Sequence, residues 1–218
     1  MLTFIEEILL LTLDDENGSF LPIRDNTMDY VLAGAALLDL AFIYRIDTDP
    51  ERLMLIDRTP PGIPMLDRVL ERIAGSAEDR NTRDWVETLA REEAENLRES
   101  ALARLVDQGI LETQDKKFLW VFRARRYPAI DGTVQREVKH RIAGVLLSDE
   151  VPDPRDVAII SLADSCAILR SIFSDHGMDS LRPRIDQVRK LDLIGREVAG
   201  TIEEIERTMA MAMARIPH

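Results

Sequence analysis

The sequence predicts a mainly α, single globular multi-helix domain with short β-hairpins, one of them exposed and amphipathic. Three observations carry this. Apolar residues recur at helical spacing along most of the 218 positions. Turn-forming Gly, Pro, Asn and Asp gather at a few breaks between those stretches. Two pairs of short β-capable runs interrupt the helical pattern, each pair close enough to form a hairpin. With 45% hydrophobic and 31% charged residues, the chain has ample material for one core, and residues 1–218 are read as one domain.

In order, residues 2–13 form an apolar helix that ends in the turn-rich Asp14, Asp15, Glu16, Asn17 and Gly18. Those acids lack the alternating ligands, turn glycine and distal Glu of a calcium loop, so they read as a solvated turn. Asn26 or Thr27 caps the next helix, which runs to about Tyr44; its small-residue run Ala33, Gly34, Ala35 and Ala36 permits close helix packing. Residues 43–46 and 53–56 then pair around the turn Asp47, Thr48, Asp49 and Pro50. Thr59, Pro60, Pro61, Gly62, Ile63 and Pro64 form a rigid connector, after which residues 65–74 resume helical spacing. Asn81 or Thr82 caps a helix containing Trp85, followed by a long helical pattern to Gln108, where Gly109 is the stop. Residues 110–112 and 118–122 are the arms of the second hairpin. Helical patterns recur at 134–147, 154–173, 181–190 and 194–214.

Composition excludes several classes. A single cysteine, Cys166, rules out an intramolecular disulfide framework and multi-Cys zinc sites, and its apolar surroundings mark it as a core thiol in a reducing, cytoplasmic setting. Residues 2–13 lack a basic leader and are interrupted by Glu6 and Glu7, so they are not a secretory signal. Asp39 and Asp164 break the longest apolar runs, 31–43 and 158–172, well short of a membrane span, which leaves only peripheral membrane contact. A net charge of -12 opposes nonspecific nucleic-acid binding. Of the three histidines, His140, His176 and His218, none stands in metal-ligand spacing with another His or Cys. His140, between Lys139 and Arg141, reads as a solvated helix residue. The pairs Glu6 and Glu7, and Glu92 and Glu93, read as solvated helix faces, and Met209, Met211 and Met213 as helix packing. The expectation is a non-enzymatic protein with no catalytic residue, metal or cofactor.

Against the acidic whole, residues 116–126 stand out: Lys116, Lys117, Arg123, Arg125 and Arg126 give five positive charges and no acid. Alternation sets Phe118, Trp120 and Phe122 on one face and Leu119 and Val121 on the other. Such a ribbon suits an anionic membrane surface or another subunit. A helix, Gly109 and a basic hairpin also describe a winged-helix DNA reader, but Glu92, Glu93, Glu95, Glu99 and Asp107 make the helix that would enter the groove acidic.

Several segments, in this order and spacing, resemble the Golgi phosphoprotein 3 family. They are the run from Ile5, Glu6 and Glu7 through Leu13, Asp14 and Asp15; Leu32, Ala33 and Gly34 with Leu37, Leu38, Asp39, Leu40 and Ala41; and Thr59, Pro60, Pro61 and Gly62 with Leu66 and Asp67. Trp85, then Leu97, Arg98 and Glu99, then the run from Leu105 to Leu111, Phe118 with Leu119, and Tyr127 with Pro128 continue the likeness, which reaches Pro152, Asp153, Pro154, Arg155 and Leu162, Ala163, Asp164. The large excess of Arg over Lys points to a bacterial member. The resemblance implies a mostly helical peripheral adaptor that binds phosphatidylinositol 4-phosphate or another anionic phospholipid headgroup. It places the headgroup site on Arg24, Ala33, Glu95 and Arg98, of which Arg98 keeps the family residue type and Arg24 supplies charge in place of an aromatic. It places the membrane or homo-oligomer hairpin at residues 114–125, with Lys116, Lys117, Phe118, Leu119, Trp120, Val121, Phe122, Arg123 and Arg125 as its contact residues. The implied location is cytoplasmic, peripheral on the cytoplasmic membrane face, with a further protein partner of unknown kind. The alternative is a cytosolic protein-interaction or oligomerisation module of the same fold that has lost phosphoinositide recognition.

Overall fold

Helix α1, Phe4–Thr12, is apolar almost all round and every one of its residues is buried, as a helix without a polar stripe must be. It opens on a capping box: the Glu6 N–H donates to Thr3 Oγ1 at 3.1 Å and the Thr3 N–H to Glu6 Oε2 at 2.7 Å. Its far end is closed by Gln135, whose buried amide donates to the carbonyls of Leu10 and Leu13. A computed structural model describes residues 1–14, 18–49, 51–115, 125–173, 177–191 and 193–214 of the chain. The other elements follow it along the chain. They are α2 (Asp25–Phe42), β1 (Ile46–Thr48), β2 (Leu53–Leu55), α3 (Pro64–Ala74), α4 (Thr82–Glu92), α5 (Ala94–Asp107), β3 (Gln114–Asp115), β4 (Arg125–Arg126), α6 (Thr133–Leu147), α7 (Pro154–Ser165), α8 (Ile168–Ile172), α9 (Met178–Val188) and α10 (Leu193–Ala214). The protein is thus mainly helical, with two short antiparallel hairpins among the described residues.

Helix α1 packs on α2, α5, α6 and α7, while α2 packs on α4, α5 and α10. Gly34 is what lets α10 approach: a Cβ there would lie 2.6 Å from Val198 Cγ1. The small-residue run of α2 therefore does serve close packing. The helix ends in a Schellman closure, with the Tyr44 N–H on the Ala41 carbonyl, the Arg45 N–H on the Leu40 carbonyl, and Tyr44 itself at φ 57.

Several expected boundaries moved. Neither Asn26 nor Thr27 caps α2: the helix begins at Asp25, Arg24 takes the cap position without a side-chain bond, and the Thr27 hydroxyl donates to Glu206 on α10. Asn81 does cap α4, accepting from the Asp84 N–H at 2.9 Å in a second capping box. The long pattern to Gln108 is two helices, broken at Glu93 (φ -127, ψ -12), whose side chain turns inward to Arg68 and Arg72. Residues 154–173 divide likewise at Cys166 and Ala167, the latter at φ 61. Gly109, at φ 69, stops α5 as expected. The first hairpin is shorter than its β-capable runs, with Ile46 opposite Leu55 and Thr48 opposite Leu53. In the second, the paired residues are Gln114 with Arg126 and Asp115 with Arg125; residues 110–112 lie before the strand, and the expected second arm at 118–122 lies outside the described residues.

Candidate lipid-headgroup site and hairpin

The two arginines expected at the headgroup site both lean on α2. Arg24, at its N-cap, is well exposed and its Nη2 lies 3.6 Å from Glu206 Oε1 on α10. Arg98, on α5, donates from Nη2 to Asp29 Oδ1 at 3.3 Å. Glu206 also takes the Thr27 hydroxyl. Thr27 and Asp29 are two residues apart, about 200° around a helix, so the partners draw the two guanidinium groups toward nearly opposite faces of α2. Ala33 is fully buried inside the fold, and Glu95 is exposed one turn before Arg98 on α5.

The hairpin is locked to the body at its base. Gly18, at φ 62, accepts the Tyr127 N–H at 2.9 Å, and a Cβ on it would fall 2.2 Å from Pro128 N. Only glycine fits this approach. Below the strands the Glu112 N–H donates to the Pro128 carbonyl at 2.9 Å, Leu111 bridges Ala129, and the Phe20 and Tyr127 rings lie 6.2 Å apart. A cleft of about 350 Å³ opens between α5 and this base, lined by Glu99, Ala103, Val106, Asp107, Thr113 and Tyr127. Lys116, Lys117, Phe118, Leu119, Trp120, Val121, Phe122 and Arg123 lie outside the described residues; the backbone of Arg125 is in β4.

Comparison with known proteins fixes the relationship. The family model described as Golgi phosphoprotein 3 (GPP34) matches residues 4–205. The chain belongs to the Golgi phosphoprotein 3 family. It is similar to vacuolar protein sorting-associated protein 74 of Eremothecium gossypii, 29% identical over 207 residues, covering 79% of this chain and 62% of the relative. The protein of the same name from Schizosaccharomyces pombe is 30% identical over 167 residues, covering 67% of this chain and 49% of the relative. The chain thus spans about half to three-fifths of the length of these curated relatives.

Much of what carries the Golgi phosphoprotein 3 likeness is interior scaffold. Glu6 and Glu7 are buried, not a solvated face. Glu6 accepts from Arg104 Nε of α5 at 3.0 Å, and Glu7 from Arg141 Nη2 of α6 at 2.5 Å and Arg155 Nε of α7 at 3.3 Å. Arg141 also binds Asp156 at 2.6 Å, and the Arg155 guanidinium stacks 4.1 Å from the Phe4 ring centroid. Asp39 of α2 accepts the Phe4 N–H at 2.8 Å, capping α1 from outside; burial pushes its carboxyl up to about 7, against those backbone bonds and the Arg155 charge. Glu93 is buried too, between Arg68 and Arg72, whereas its neighbour Glu92 is half-exposed.

Cys166 is the core thiol expected, buried and pushed up to about 12 by desolvation. His140 is exposed on α6, as expected; His176 and His218 lie outside the described residues. Among the described residues no group of three His, Cys, Asp or Glu could hold a metal, and no helix is long and apolar enough to cross a membrane. Sequence reasoning missed the carboxylates that face Arg24 and Arg98. Glu206 is 182 positions from Arg24, so no local spacing signals it.

Proposed function

We propose that the chain is a non-enzymatic, single-domain peripheral adaptor. It binds an anionic phospholipid headgroup such as phosphatidylinositol 4-phosphate, and it meets the membrane or a second copy through the hairpin at residues 114–125. The observation that carries this reading is the Golgi phosphoprotein 3 family match together with a hairpin base pinned to the fold by Gly18 and Tyr127. On that base the sequence mounts five cations and the aromatic residues Phe118, Trp120 and Phe122. Each cation held near an anionic leaflet contributes about 1 kcal/mol, so five give a few kcal/mol, and Trp120 adds interfacial burial. The net charge of -12 opposes this, so the encounter is weak and reversible, and multivalent display in an oligomer strengthens it. Arg24 and Arg98, drawn toward nearly opposite faces of α2, supply separate headgroup contacts: an anion takes the place of Glu206 at the first and of Asp29 at the second. The location that follows is the cytoplasmic face of a membrane. The relatives' name points to protein sorting, and an adaptor there also engages a protein partner.

A second reading is favoured by Ala33 and Glu95 standing at the headgroup positions and by the ion pairs already closed on Arg24 and Arg98. It makes the protein an interaction or oligomerisation module of the same fold without phosphoinositide recognition. Paired substitutions separate the two. Vesicle co-sedimentation should fall several-fold in Trp120→Ala/Phe122→Ala with the helical circular-dichroism signal intact, and headgroup preference should vanish in Arg24→Glu/Arg98→Glu. Loss of oligomer mass in the hairpin variant with no lipid binding by the wild type would establish the second reading instead.

A further inference from the structure

Away from Arg24 and the hairpin, three arginines converge on one carboxylate. Arg72 from the last turn of α3, Arg80 from the segment before α4 and Arg91 from the last turn of α4 line a cleft of about 220 Å³, with Trp85, Thr88 and Glu92. Glu92 sits at the focus. Its Oε2 accepts from Arg72 Nη1 and its Oε1 from Arg91 Nη2 at 3.0 Å. The hydrogen bond from Arg91, with the charges of Arg72 and Arg80 beside it, holds its carboxyl below the usual range. Glu92 lines this cleft together with the three arginines, while Glu93 and Glu78 pair with Arg72 and Arg80 from its edges.

Glu92 is not needed to hold Arg72 and Arg80 in place. Arg72 is anchored by its second nitrogen to the buried Glu93, which also takes Arg68 Nε at 2.6 Å. Arg80 donates to Thr88 Oγ1 at 3.2 Å, lies 5.4 Å from the Trp85 ring centroid, and is oriented by Glu78 at 3.0 Å. Arg91 is largely exposed, and Glu92 is the acceptor for its Nη2. Glu93 therefore serves packing between α3 and α5, while Glu92 occupies a half-exposed position from which it can swing into water. A carboxylate offers two oxygens and one charge. A phosphate monoester offers three oxygens and up to two charges, a better match to convergent guanidinium groups.

We propose that this cleft is a binding site for a phosphate monoester, with Glu92 as an internal stand-in that the ligand displaces. The site is independent of the proposed membrane role and uses neither Arg24 nor Arg98. The full chain carrying Trp120→Phe, which leaves Trp85 as its one tryptophan, is titrated with inorganic phosphate and with glycerol phosphate. Trp85 fluorescence and calorimetry are read against sodium chloride of equal ionic strength. The expected result is saturable one-to-one binding, about tenfold tighter in Glu92→Gln and about tenfold weaker in Arg91→Ala, and unchanged in Arg98→Ala. Both cleft substitutions are at exposed or half-exposed positions, and circular dichroism checks that each keeps the wild-type helix signal. No saturation beyond the chloride control, or saturation indifferent to Glu92 and Arg91, overturns the proposal. Vesicles carrying phosphatidic acid identify the source: competition with glycerol phosphate assigns the site to a lipid headgroup, and its absence to a soluble ester.

Discussion

Glu7 is a charge taken out of water and answered by two arginines from two other helices. Removing one partner of such a buried pair strands the rest, at a typical cost of about 3 kcal/mol. Glu7→Ala should therefore lower the urea midpoint strongly, whereas Glu92→Ala, at a half-exposed pair, should leave it nearly unchanged. Similar midpoints for the two would contradict the distinction between interior and surface carboxylates. Asp39 gives a pH signature. Burial in the fold pushes its carboxyl up to about 7 from an ordinary 3.8, so between those values the native state binds the extra proton. Its contribution to stability is complete below about pH 4 and is lost as pH rises through 7. Asp39→Asn should flatten the decline in stability between pH 4 and pH 7 relative to the wild type, measured as urea midpoints; an unchanged slope would remove Asp39 as its source. The burial of Glu6 and Glu7 was not legible in the sequence, because their partners lie 98, 134 and 148 positions away. Adjacent acids on a helix carry no mark of which distant arginine will reach them.

At the scale of elements, what was legible was local. The Asn81 cap, the Gly109 stop, the small-residue seam at Gly34 and the position of the first hairpin follow from residue type and spacing. The breaks at Glu93 and Ala167 were not legible, since neither carries a Gly or Pro; each arises where tertiary packing competes with helix continuation, at Glu93 through its inward salt bridges. The base of the second hairpin depends on Gly18, a residue that read only as a turn. Gly18→Ala places a methyl against the Tyr127 and Pro128 backbone at a left-handed position, and should cost about 2 kcal/mol or more. Hydrogen exchange should then speed up selectively at the Tyr127 amide. Protection there equal to wild type would show that the strand base is held without the Gly18 contact.

For the whole molecule, the acidic net charge and the basic residues 116–126 pull in opposite directions, and the proposed membrane binding requires the local attraction to win at short range. That balance is salt-dependent, because exposed charges beyond a Debye length of about 10 Å at 0.1 M are screened. The family is legible from the order of motifs along the chain, but the motifs with the clearest pattern, around Glu6, Glu7 and Asp39, fold into the interior around α1. They identify the scaffold; the proposed contact residues lie in the less regular stretches around Arg24, Arg98 and the hairpin. The most direct measurement is co-sedimentation of the full chain with vesicles of neutral lipid, phosphatidylserine or phosphatidylinositol 4-phosphate, at low and at physiological salt. Binding to both anionic compositions is expected at low salt, with the phosphatidylinositol 4-phosphate vesicles retaining more protein as salt rises. No binding to any anionic vesicle at low salt would contradict the peripheral lipid-binding role.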